Sequence, residues 1–284
     1  MADKNKKSRS GIWDKMFVAT EFILILVMLV LIWKIANYLL DDFRSRAFSK
    51  NLELSAVIME EAENPQKSNE NQENGKTATE TTFATENNNH VEQEIVIPSA
   101  IDFDRLHEIS QDAIAWLYCP GTQINNVIAQ SDDNDYYLRR LLNGSEANCG
   151  TLFADYRNGS DFSNEITLIY GHNMKNGTMF ASLMDYRDPG YYEEHPVMYL
   201  YTPGKRYCLE LIAGYTTDIN DIVFEVPASK SDREAILAYA DKASSFVSGV
   251  KVAPEDRLVI LSTCSYAYDD ARYVVIGRLI EEKW

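Results

Sequence analysis

Between residues 258 and 278 the chain carries two apolar, β-branched runs, Leu258-Val-Ile-Leu-Ser-Thr-Cys264 and Arg272-Tyr-Val-Val-Ile-Gly-Arg278, separated by Ser-Tyr-Ala-Tyr-Asp-Asp-Ala. No other stretch constrains the fold as much. Such runs favour extended backbone and the Tyr/Asp stretch has turn composition, so the two are predicted to pair as an antiparallel hairpin. Symmetric pairing about Tyr268 sets Cys264 opposite Arg272. A thiol at a strand end beside a guanidinium is a candidate nucleophile, because a neighbouring cation favours the reactive thiolate. Arg278 shares the strand parity of Arg272, but six residues at ~3.3 Å each place it about 20 Å further along. Arg272 is therefore the expected partner of Cys264.

A thiol nucleophile needs a proton-transfer partner, and the best placed is His172 in Glu165-Ile-Thr-Leu-Ile-Tyr-Gly-His-Asn-Met174, where another β-type run exits through Gly171. The remaining histidines sit in a polar tract (His90), a predicted helix (His107) and before a proline (His195). Ser262 and Thr263, just before the thiol, and Asn173, just after the histidine, are candidate substrate contacts. The other cysteines, Cys119, Cys149 and Cys208, show no metal-ligand spacing and read as small buried hydrophobes. Asp132-Asp-Asn-Asp135 has turn composition, and no metal or cofactor is required.

Further apolar stretches around residues 126–130, 166–170, 197–201, 207–215 and 222–226 join the two at 258–264 and 273–280. Gly, Asn, Asp or Pro separates them, and no β-α-β repeat occurs. This pattern predicts a mostly β domain, a closed or nearly closed barrel. Two helices are expected beside it. Residues 102–117 place Phe103, Leu106, Ile109, Ala113 and Leu117 near one face, and Ser231 to Val247 has helical spacing behind a Ser231/Glu234 capping box.

The N-terminal part differs in kind. Phe17 to Leu40 is an apolar run whose only charges are Glu21 and Lys34, close to the ~20 residues a membrane-spanning helix needs. No small-residue cleavage site follows Leu40. Lys4, Lys6, Lys7, Arg9 and Lys15 precede the run and are expected to stay cytoplasmic, which puts the rest outside the cell. The expected organisation is a basic tail (1–16), a transmembrane anchor (17–40), a helical stalk (41–62), a disordered polar linker (63–97) and one catalytic domain (98–284). Between Glu63 and His90 only Ala78, Phe83 and Ala84 are apolar, too little burial to offset chain entropy. The linker reads either as a spacer or as a tolerated insertion. A formal charge of −16 argues against a nucleic-acid partner.

Ile169-Tyr-Gly-His172-Asn-Met, Leu261-Ser-Thr-Cys264 and Arg272 resemble the class B sortases, cysteine transpeptidases of Gram-positive bacteria. Trp116-Leu117, Gly121-Thr-Gln-Ile-Asn, Asp133-Asn-Asp-Tyr-Tyr-Leu138, Phe153-Ala-Asp-Tyr-Arg-Asn158 and Gly177-Thr-Met-Phe180 extend the resemblance from about Ile101 to the C-terminus. It implies a sortase-like closed β-barrel with N-terminal helices and a helix in a long loop near the active site. A helix that merely packs on the barrel is the other reading of that segment. The resemblance also implies cleavage after a threonine in the C-terminal sorting signal of a secreted protein. A thioacyl enzyme on Cys264 then passes its acyl group to a peptidoglycan amine or, in pilus-polymerising members, to a pilin lysine. The same residues with water as acceptor would make a hydrolytic cysteine peptidase.

Overall fold

The computed structural model describes residues 4–59, 97–265 and 267–283. The polar linker expected over 63–97 lies outside them, Ile97 apart. In chain order, helix α1 (Lys4–Ala56) leads into the short strand β1 (Val57–Ile58), which pairs with β2 (Ala100–Ile101). Helix α2 (Phe103–His107) and strands β3 (Ala113–Tyr118), β4 (Asn125–Ala129), β5 (Leu152–Ala154) and β6 (Ile166–Tyr170) follow. Helix α3 (Pro189–Glu194), strands β7 (Val197–Thr202) and β8 (Lys205–Asp218), helix α4 (Lys230–Ala243) and strands β9 (Arg257–Cys264) and β10 (Ala271–Glu282) complete the order.

Eight strands close a barrel in the order β10-β8-β7-β3-β4-β5-β6-β9. Most neighbours run antiparallel, but β4/β5 and β6/β9 are parallel. Closure explains why β9 and β10 read as nearly continuous apolar runs rather than alternating ones, since both faces are covered. Val259, Leu261, Tyr273 and Val275 enter the barrel core with Leu117, Leu152, Ile169 and Leu209. The opposite row, Leu258, Ile260, Val274 and Ile276, packs with Ile166 and Leu168 beneath Ile236 and Ala240 of α4. Each large side chain buried this way contributes about 1.5–3 kcal/mol.

Three local expectations are corrected. The helix expected over 102–117 stops at His107, and residues 113–118 form β3, paired with β4 and β7. Its short apolar run suits either period, and strand pairing decides it by burying Leu117 inside the barrel and Trp116 outside with Leu52 and Phe103. Residues 222–226 hold a single 3-10 turn, Ile222–Phe224, instead of a strand. The cap of α4 is Ser229, whose hydroxyl accepts from Asp232 N while the Asp232 carboxylate accepts from Ser229 N, two residues upstream of the expected box.

Helix α1 is continuous from the apolar run to Ala56, and its segment from Met16 is long and apolar enough to cross a membrane. Its large side chains from Phe17 to Leu40 are exposed, whereas Leu52 and Ala56 are buried against the barrel's outer layer. The segment expected to be a stalk is thus docked on the domain. Among the other cysteines, Cys119 and Cys149 are buried and Cys208 is half-buried; all four thiols are free.

Candidate active site

The β9–β10 hairpin has the register expected from its symmetry, with Cys264 opposite Arg272 and Ser262 opposite Val274. Directly paired residues on antiparallel strands share a face. Cys264 and Arg272 therefore continue the outer row at the point where α4 no longer covers it. Both are half-buried. They line a groove of about 460 Å³ with Tyr170, His172, Arg157 and Phe224.

Histidine reaches this groove because β6 lies parallel to β9, with Tyr170 beside Ser262. Parallel strands exit at the same end, so the residues after Tyr170 and those at Cys264 emerge together. The exit is stitched by Gly171 N to Ser262 O at 3.1 Å and Thr263 Oγ1 to Gly171 O at 2.8 Å. Gly171 is required by close approach: a Cβ there would overlap Leu152 Cδ2 and sit 2.6 Å from Phe180 Cδ2. Beyond it, His172 Nε2 lies 2.7 Å from Leu138 O. A carbonyl only accepts, so Nε2 carries the proton and Nδ1 is the nitrogen left for other chemistry.

The remaining candidates occupy different positions. Asn173 donates from Nδ2 to Cys264 O at 3.0 Å and so ties the histidine loop to the thiol's own backbone. Thr263 is buried, its hydroxyl committed to Gly171. Ser262 lines the groove, and its buried Oγ has no hydrogen-bond partner among the described residues. Among the described residues the Arg272 guanidinium makes one hydrogen bond, Nη1 to Ala271 O at 3.1 Å, and pairs with no carboxylate.

Sequence reasoning missed the wall built on Asp155. This fully buried carboxylate accepts from Arg157 Nε and Nη2 (2.8 Å each), Asn134 Nδ2 (2.9 Å) and Tyr170 OH (3.0 Å), and all three donors line the groove. Burial alone would push the Asp155 carboxyl up. The hydrogen bonds, led by Arg157, outweigh it and hold the carboxyl below the usual range. The signal was present, since Asn134 and Asp155–Arg157 fall within the motifs quoted above, but their convergence is tertiary.

Comparison with known proteins places this geometry. A sortase domain model matches residues 117–280. The chain belongs to the sortase family, within class B. It is 38% identical to Sortase B of Listeria monocytogenes over 179 residues, 62% of this chain and 72% of that protein. A Staphylococcus aureus sortase B–substrate complex superposes with a TM-score of 0.60 at 29% identity, covering 64% of this chain and 86% of that one. A sortase B complexed with triglycine gives the same TM-score, identity and coverages. As a class B sortase the chain is a cysteine transpeptidase. The sortase match contains His172, Cys264 and Arg272, and the closed barrel is the one expected from the resemblance.

Proposed function

We propose that this sortase cleaves a C-terminal sorting signal of a secreted protein and transfers the acyl fragment to an amine of the cell wall, with Cys264 as nucleophile. The observation that carries the reading is the convergence of Cys264, His172 and Arg272 on one groove whose lining, among the described residues, contains no carboxylate, in a chain of formal charge −16. The Cys264 thiolate attacks the scissile carbonyl and forms the C–S bond of a tetrahedral oxyanion. Collapse breaks the C–N bond, and protonated His172 gives its proton to the departing amine. A thioacyl enzyme remains. The incoming amine attacks it, His172 takes the amine's proton back, and the C–S bond breaks to release the thiolate. Arg272, unpaired with any described carboxylate, holds the oxyanion or the substrate backbone through a fixed guanidinium. Ser262, with its unpartnered hydroxyl, contacts the substrate, whereas Asn173 and Thr263 support the two loops that bear the histidine and the thiol.

The relatives support the substrate classes. One was solved with its substrate and another with triglycine, so an oligoglycine amine is the acceptor chemistry we assign here ahead of a pilin lysine or water. Helix α1 anchors the protein in the membrane, with the basic residues before Phe17 cytoplasmic and the barrel outside.

The test is covalent trapping. With a peptide substrate, intact-mass analysis is expected to show an acyl adduct on Cys264, and added triglycine is expected to convert it to the amide product. Cys264→Ala and His172→Ala are expected to abolish turnover while the domain stays folded. Other thiols are poor competitors: burial pushes Cys119 and Cys208 up to about 11 and raises Cys149. An adduct on any of them, or turnover by Cys264→Ala, would refute the mechanism. Release of free acid at the same rate with and without triglycine would make the enzyme a hydrolase.

A further inference from the structure

The apolar run of α1 ends at Asp41 and Asp42, and both carboxylates reach segments that hold His172. Asn176, on the loop that follows the histidine, donates from Nδ2 to Asp42 Oδ1 at 2.6 Å. Its own Oδ1 accepts from the backbone N–H of Thr178 at 3.1 Å and from its hydroxyl at 2.7 Å. The loop then closes on itself, Gly177 N to Met174 O and Phe180 N to His172 O at 3.0 Å each. A tug on Asn176 is therefore felt at the histidine's backbone.

Asp41 acts on the other side. Its Oδ2 accepts from Asn148 N at 3.0 Å and Asn148 Nδ2 at 2.7 Å. The neighbouring Ala147 N donates to Arg139 O at 3.0 Å. Arg139 follows Leu138, whose carbonyl meets His172 Nε2. The space between α1 and these segments is a cavity of about 510 Å³, lined by Asp41, Asp42, Asn148, Met174 and Asn176 among others. Across that space the two carboxylates make the hydrogen bonds that join the helix to these segments.

We propose that Asp42, supported by Asp41, is a positioning residue for His172, so that the helix bearing the apolar run sets the geometry of the proton donor. This rests on the reading of His172 as the catalytic acid. Asp42 also pairs with Arg46 at 2.9 Å, so charge and contact must be separated. Asp42→Asn does so, because its amide oxygen still accepts from Asn176 while the ion pair is lost.

The test uses full-length protein in detergent micelles and a fluorogenic peptide that the parent cleaves, selected from a peptide library. Active sites are counted by alkylation of Cys264, so unfolded protein does not enter the comparison. Asp42→Ala is expected to lower kcat about tenfold with KM within about twofold, the signature of a misplaced catalytic group. Asp42→Asn is expected to stay near the parent. Asn176→Ala should match Asp42→Ala, and the double variant should be no worse than either. Full kcat in Asp42→Ala, additive losses, equal defects in Asp42→Ala and Asp42→Asn, or a rise in KM alone would each overturn the clamp. Parallel assay of His172→Ala keeps the two readings apart. An inactive His172→Ala beside an unimpaired Asp42→Ala removes the clamp alone, whereas an active His172→Ala removes the catalytic reading and the clamp with it.

Discussion

The β9–β10 pairing carries two β10 arginines of the same parity near its two ends, and they lead opposite lives. Arg278 faces Leu258 and is saturated: Nε meets Glu210 Oε2 at 3.0 Å, and Nη1 meets Lys251 O at 2.7 Å and Asp256 Oδ2 at 3.4 Å. The Glu210 contact leads the effects that raise the Arg278 guanidinium above its ordinary range. Arg272 faces Cys264 and spends one donor on a neighbouring carbonyl. Residue type, strand and face are equal, so the difference comes from what the rest of the fold brings near. At one end β8 and the loop before β9 supply carboxylates and close the site. At the other no described carboxylate approaches, and the guanidinium lines the groove.

The sharpest way to break this comparison is the same conservative change at both ends. Arg272→Lys keeps the charge and loses the planar fork, and kcat/KM is expected to fall on the order of 10²-fold, as for loss of an oxyanion donor. Thermal stability should be nearly unchanged, since no described ion pair is lost. Steady-state kinetics and a melting curve on each variant decide it. Equal kinetic losses in Arg272→Lys and Arg278→Lys would dissolve the distinction.

A smaller effect is expected at the closed end. Arg278→Ala removes a largely sheltered ion-pair cluster and should destabilise the domain by about 1 kcal/mol, the upper range for such pairs when part of a network. Activity per folded molecule should stay within about twofold of the parent. Chemical denaturation with active-site counting by Cys264 alkylation checks both. A loss of activity without loss of stability would show that Arg278 reaches the substrate.

At Ser262 the expected stability effect has the opposite sign to that at Arg278. Its buried hydroxyl has no partner among the described residues, and an unsatisfied polar group costs free energy rather than supplying it. Ser262→Ala should leave stability unchanged or raise it by up to about 1 kcal/mol, while KM rises severalfold if the hydroxyl serves the substrate. Unchanged KM would make Ser262 a packing residue. Acid provides a further check on the groove wall. Asp155 is held below its unfolded value, so its contribution is present above about pH 4 and lost as pH falls through the lower folded value. Denaturation midpoints for the parent and Asp155→Asn, taken from pH 7 down to 2, should converge in that acidic window. Curves that stay parallel would mean the carboxylate is not the group being titrated.

How much of this was legible beforehand divides along physical lines. The hairpin register was readable because two apolar strands joined by a short turn have few ways to pair, and it placed Cys264 opposite Arg272 before any tertiary contact was known. The α4 region, strands β6, β7 and β9 and the apolar run of α1 were also local, since each carries its own periodicity or composition. Residues 113–118 were not, because Ala-Ile-Ala-Trp-Leu-Tyr satisfies either period and only the open edges of β4 and β7 decide for a strand.

The candidate histidine was named from its strand exit and the motif around it. Its approach to the thiol depends on β6 lying parallel to β9, a pairing between segments far apart in sequence that no local signal encodes. The same holds for Asp155, whose role arises where three groove-lining side chains meet one buried carboxylate, and for Asp42, which meets Asn176 only because α1 docks on the barrel. The sequence by itself determined the β-rich class, the apolar helix, the hairpin and the residue types able to do thiol chemistry, because these follow from short-range periodicity and side-chain identity. Tertiary structure alone decided which arginine stays unpaired among the described residues, which carboxylate is buried and what grips the histidine loop. Electrostatic and hydrogen-bond partners are set by distance in space, and chain spacing does not record it.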